Sequence, residues 1–329
     1  MAVEYTLETH AQPSLYDPVP RKLTTYFSLP ERSQGRLSGL LLMISGFGGH
    51  ANSNVFKKMR NVFADEYDLI TISCDFFGYE FMLSEPLPES PSNFCDMGPV
   101  QAMDLINSVK SVSDYCHENN IEFDETNVIA YGFSHGGYLA YLMNALMPGF
   151  LSCIIDNSAW IYPGFIQKDR ALYKMKGDKV IDTVKFQYLI GRIIMDPEIY
   201  SLELWSNSFA NECRIISFHC YDDELALFSK KSLVLSRFRN SSVEIIGEKR
   251  IDGTIFKNNA HGLGADFLDL FRYVMKRYDT HSENPVLQCK SRNFETNYCK
   301  YHIDVDDIIP LLTYQNKEEY DFENYCLVE

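Results

Sequence analysis

The sequence predicts an α/β fold, a mostly parallel central sheet flanked by helices. Two observations carry this. Strand and helix patterns alternate through the middle of the chain, the order that builds parallel sheets. The core runs 40–44 and 127–131 are short, apolar or β-branched, as strands buried on both faces should be. At 329 residues, 46% of them hydrophobic and 14% aromatic, the chain can form one large domain with additions, and two are not required.

Residues 24–29 read as a leading strand before Pro30, hairpinned with an earlier one near 3–9. The strand at 40–44 runs into a turn of small residues, Ser45-Gly46-Phe47-Gly48-Gly49-His50. Residues 67–75 form the next core strand. The stretch 78–99 holds Pro86, Pro88, Pro91 and Pro99 and reads as an extended loop, a connector before a rim of any site. Ala102, Leu105, Ile106, Val109 and Val112 then share one face of a helix at about 100–117. The strand at 127–131 meets a sharp turn, and a buried helix at 137–146 closes at Pro148 and Gly149. Cys153-Ile154-Ile155 ends in Asp156, and 214–220 is a further strand. Between them, about 157–211 is far longer than one crossover helix and is expected to form a helical cap. Its aromatics Trp160, Tyr162, Phe165, Tyr188 and Trp205 line a substrate pocket or form the cap's own core. Trp160, nearest the strand end, is the one expected to contact ligand. A loop at 258–264 leads into a helix at 265–275.

Gly132-Phe133-Ser134-His135-Gly136 is a G-x-S-x-G pentapeptide set between that strand and helix. A serine in such a strained turn pushes its hydroxyl clear of the backbone, and the glycines let strand and helix approach. His261, in the polar loop 258–264, can swing its imidazole toward a serine on another loop, so it is the candidate base. The strand 214–220 ends in Tyr221-Asp222-Asp223-Glu224, carboxylates at a C-terminal strand end. Asp223 is the first candidate for the orienting acid, Asp222 the near alternative and Asp156 the third. Backbone N–H groups of Phe47 and of His135, the residue after the serine, are candidate oxyanion donors.

These motifs resemble the α/β-hydrolases over roughly residues 20–278. The run Ser45-Gly46-Phe47-Gly48-Gly49 is similar to the family's His-Gly-x-Gly-Gly loop, with Ser45 where histidine is commoner. Phe133-Ser134-His135-Gly136-Gly137-Tyr138 resembles the elbow of the prolyl oligopeptidase and acetyl xylan esterase-like branches. Phe218-His219-Cys220-Tyr221-Asp222-Asp223 is similar to their His-Gly-x-x-Asp acid loop, with Cys220 for the glycine, and this alignment favours Asp223. The resemblance implies a serine hydrolase acting through Ser134, His261 and Asp223, but no substrate; the first expectation is a carboxylic ester, that of an O-acetylated sugar or another small metabolite. A serine peptidase or amidase of short peptides, and a non-catalytic accessory or binding protein, are the other readings it leaves.

Charge excludes more than it selects. Thirty basic against 45 acidic residues give −15, which disfavours nucleic acid and anionic lipid as partners. The longest apolar runs are too short to span a membrane. Nine cysteines without C-x-x-C spacing suit reduced thiols and a cytoplasmic location. Eight dispersed histidines offer no metal spacing, so no metal or cofactor is expected. Residues 279–329 form an acidic, aromatic extension, expected to pack on the domain or bind a protein partner.

Overall fold

The computed structural model describes residues 1–31, 35–82, 87–177, 179–208, 211–281, 290–305 and 310–317. β1 (Val3–Ala11) and β2 (Arg21–Leu29) pair antiparallel along their whole length. β3 (Gly39–Ile44), α1 (Asn54–Tyr67), β4 (Leu69–Asp75), α2 (Pro99–Glu118), β5 (Val128–Phe133), α3 (His135–Leu146) and β6 (Cys153–Asn157) follow. An insertion holds β7 (Arg170–Lys176), β8 (Lys179–Phe186), α4 (Ile190–Ile193) and α5 (Leu202–Ser208). The core resumes with β9 (Arg214–His219), α6 (Phe228–Ser236), β10 (Ser241–Ile245) and α7 (Phe267–Arg277). β11 (Arg292–Glu295), β12 (Cys299–Asp304) and β13 (Leu311–Asn316) make a separate antiparallel sheet.

The main sheet runs β1-β2-β4-β3-β5-β6-β9-β10, parallel from β4 onward. Its central strands are apolar at consecutive positions because both faces are covered. Leu40, Leu42 and Ile44 turn to the side packed by α2 and α3, with Ile72, Ala130 and Ile154. Leu41 and Met43 turn the other way, with Ile129, Ile155 and Ile216, onto α1 and α7. There the rings of Phe63 and Phe271 lie 4.4 Å apart. Each such fully buried side chain contributes about 1.5–3 kcal/mol, so two layers of helices fix the strand ends firmly in register. Those C-terminal ends carry the site.

The insertion between β6 and β9 combines short helices with the two-stranded ribbon β7–β8, which the sequence reading did not separate. The loop after β4 is more than a connector: Glu89 accepts the N–H groups of Cys95 and, in the insertion, of Leu189. The small C-terminal sheet packs on the insertion. Phe294 lies 4.7 Å from Trp205, and Asp196 accepts the hydroxyls of Thr296 and Tyr301. Its acidic continuation at 318–323 lies outside the described residues. The seven described cysteines are all buried and unpaired, and no described helix is long and apolar enough to cross a membrane.

Candidate active site

Ser134 sits between β5 and α3 with φ 54° and ψ −114°, a left-handed φ that a non-glycine residue holds only where its surroundings enforce it. Packing enforces it here. A Cβ on Gly132 would meet the backbone of Gly136 at 2.5 Å, and one on Gly136 would meet the carbonyl of Ile44 at 2.3 Å. The turn is further tied by the Ser134 N–H donating to the Asn157 carbonyl, and by Trp160 N–H reaching the Ser134 carbonyl.

Ser134 Oγ lies 2.7 Å from His261 Nε2. His261 Nδ1 lies 2.8 Å from Asp223 Oδ2 and 3.0 Å from Oδ1. An ionised carboxylate only accepts, so Nδ1 carries the proton and Nε2 presents its lone pair to the serine hydroxyl. Asp223 Oδ1 also accepts the N–H groups of Leu225 and Ala226. Burial favours the neutral acid, but the His261 hydrogen bond and charge outweigh it and hold the Asp223 carboxyl below its ordinary range. The His261 loop is pinned from β6: Asn157 donates to the Gly262 carbonyl, and the Gly262 N–H donates to Ser158 Oγ.

The other two acid candidates lie elsewhere. Asp222 is exposed. Asp156 is fully buried, 2.9 Å from Lys231 Nζ and hydrogen-bonded by the Tyr141 hydroxyl and the Ala159 N–H. Desolvation pushes its carboxyl up, but the charge of Lys231 and these hydrogen bonds bring it down overall. His219 sits behind Asp223 with Nε2 donating to the Ala226 carbonyl, and burial lowers its pKa. The sequence gives no hint of Lys231, a lone lysine on α6; only the fold brings it under β6.

His135 opens α3, where a backbone N–H has no acceptor within the helix. Its ring is fully buried; Nε2 donates to Gln101 Oε1, because the Gln101 amide already donates to Phe77 O. Burial holds this imidazole neutral, its pKa lowered to about 3. Phe47 stands in the turn after β3, where Gly48 takes φ 82° and Gly49 N–H closes onto Gly46 O. The Phe47 ring packs against His135, Trp160, Phe165 and Tyr188 at 5.0–5.8 Å. Trp160 is thus brought to the site together with Phe165 and Tyr188, whereas Trp205 goes to the C-terminal sheet. Sequence reasoning missed Arg170, whose guanidinium lies over the rings of Phe47 and Phe165 at 4.7 and 5.1 Å. Among the described residues no cluster of histidine, cysteine and acidic side chains could hold a metal.

A family model described as "Protein of unknown function (DUF2920)" matches residues 78–168. No curated protein sequence matches this one. Among solved structures, the acylaminoacyl peptidase of Pyrococcus horikoshii is similar with a TM-score of 0.54 at 12% identity, over 86% of this chain and 43% of the peptidase. Est1E from Butyrivibrio proteoclasticus gives 0.49 at 15% identity, over 78% of this chain and 92% of Est1E. At 12% identity the likeness to the peptidase speaks for the fold alone.

Proposed function

The chain has the α/β-hydrolase fold, and from that premise we propose that it is a serine hydrolase that cleaves a carboxylic ester by acyl transfer to water. One observation carries the reading: Ser134, His261 and Asp223 stand in a single hydrogen-bonded relay, the serine at a strained turn. Ser134 Oγ attacks the carbonyl carbon while His261 Nε2 takes its proton. Asp223 holds the ring in the tautomer that can do so and stabilises the imidazolium. The backbone N–H groups of Phe47 and His135 receive the oxyanion. His261 returns the proton to the leaving alcohol, then activates water to release the acyl group from Ser134. Trp160, beside Phe47, contributes to the wall of the acyl or alcohol pocket. The same relay can open an amide, so short peptides are the second substrate class to assay.

The test is labelling of the purified protein by a fluorophosphonate. Wild type labels, while Ser134→Ala and His261→Ala do not, and ester and peptide-amide substrates assayed in parallel then give the bond cleaved. A folded wild type that neither labels nor turns over any ester or amide overturns the reading, and leaves the hydrolase-like scaffold as a binding protein.

A further inference from the structure

The aromatic box around Phe47 carries polar groups that the relay does not use. Arg170 reaches it from the first residue of β7, and its guanidinium lies over the ring faces of Phe47 and Phe165. Among the described residues its buried Nε has no hydrogen-bond partner, and no ion pair joins it to a carboxylate. Two more donors in the same box are equally unmatched: Trp160 Nε1 and the Tyr188 hydroxyl, on side chains 6% and 1% exposed. Trp160 and Tyr188 both touch the Phe47 ring, and both touch Phe165. A buried donor without an acceptor costs about 1–3 kcal/mol, and buried polar groups in native proteins are nearly always paired. Three together, one of them permanently charged, mark a place where the missing acceptors arrive with a ligand. In a chain of net charge −15 an arginine with no ion pair among the described residues is the more telling.

We propose that Arg170, Trp160 and Tyr188 form a subsite for an anionic group, a carboxylate above all, carried by the substrate a few bonds from the carbonyl that Ser134 attacks. A planar guanidinium matches a carboxylate's two oxygens, and stacking on Phe47 and Phe165 preorganises it. The neutral donors of Trp160 and Tyr188 complete the set, while the ring faces accept the carbon chain. The proposal rests on the serine-hydrolase reading for the identity of the reacting carbonyl, though the anion site itself does not depend on catalysis. Arg170 is a specificity-determining residue here and takes no part in bond breaking.

Two pairs of esters test it, one for each side of the bond. On the acyl side 4-nitrophenyl hemisuccinate is compared with 4-nitrophenyl butyrate, and on the alcohol side 4-acetoxybenzoate with 4-methylphenyl acetate. The wild type favours the charged member of one pair in kcat/KM, mainly through KM, and added salt erodes the preference. Arg170→Gln cuts that preference roughly tenfold or more. Arg170→Lys keeps part of it, and Lys174→Gln, which removes a charge from the exposed part of the same ribbon, leaves it unchanged. Equal charged-to-neutral ratios for wild type and Arg170→Gln in both pairs overturn the proposal, and would mean the orphaned donors are met by water. If no ester turns over, succinate itself is titrated by tryptophan fluorescence. Quenching in wild type and Ser134→Ala, lost in Arg170→Gln, upholds the anion site while the hydrolase reading fails. The same response in all three overturns the site.

Discussion

Asp223 has both oxygens occupied, Oδ1 by the Leu225 and Ala226 N–H groups and Oδ2 by His261. In Asp223→Asn the amide oxygen keeps the backbone bonds and the NH₂ faces His261 Nδ1, which selects the wrong imidazole tautomer. Turnover should fall by on the order of a thousandfold or more with little loss of stability, read as kcat beside a thermal melt. His135 carries a pH effect of definite sign. Its folded pKa of about 3 lies below the unfolded imidazole value of about 6.5. Its stabilising contribution is complete above the latter and is lost as pH falls toward the former, at about 1.4 kcal/mol per pH unit. Asp96 works in the opposite direction, since burial pushes its carboxyl up to about 6. The readout is therefore the comparison: Gln in place of His135, which can still donate to Gln101, should give a shallower loss of urea stability between pH 6.5 and 5. Ser134 and His261 were legible because each sits in a local pattern of glycines and strand or helix residues. Arg170 was not, because its meaning depends on contacts with Phe47, more than a hundred positions away.

The strands of the core were readable as elements for a simple reason: a strand buried on both faces must be apolar at consecutive positions, and 40–44 and 127–131 are. Ribbon β7–β8 had a signal that went unused. Residues 170–186 alternate around Gly177, at φ 59°, with a turn between them. They fell inside the stretch 157–211, expected as a helical cap. α6 was not read from the sequence, yet it supplies Lys231, which lies under β6 at 1% exposure with Asp156 at 0%. Removing one partner of such a buried pair leaves the other charge stranded. Lys231→Met should lose about 3–5 kcal/mol in urea unfolding. Adding Asp156→Asn should return part of that loss, and a double mutant no better than the sum of the singles would show the two side chains to be uncoupled.

On the scale of the whole molecule, the C-terminal sheet is braced against the insertion through Phe294 on Trp205 and the two hydroxyls on Asp196. A chain ended at Tyr278 uncovers Trp205 and removes the two hydroxyl partners of Asp196, leaving it the Glu198 N–H. Its melting temperature should drop by several degrees, at about 2–4 °C per kcal/mol lost for a domain of this size, with a red shift of tryptophan emission. An unchanged melt would assign the sheet no part in holding the insertion. The sequence left this segment to pack on the domain or to bind a partner, since aromatic and β-branched residues do not suit a solvated tail. Its three strands were not foreseen, although β12 alternates buried and exposed positions along Cys299–Asp304.

The buried cysteines have a use beyond packing. Burial raises the thiols of Cys74, Cys95, Cys153 and Cys213 and pushes Cys116 up to about 11. Alkylation needs an exposed thiolate, so each of these sulfurs reacts only when its own neighbourhood opens. They are spread through the architecture: Cys74 in β4, Cys116 in α2, Cys153 in β6, Cys213 before β9 and Cys299 in β12. The molecule therefore holds its own set of clocks. Alkylation rates resolved by mass spectrometry would time the opening of each layer separately, Cys299 running ahead of Cys153 if the appended sheet lifts before the core comes apart.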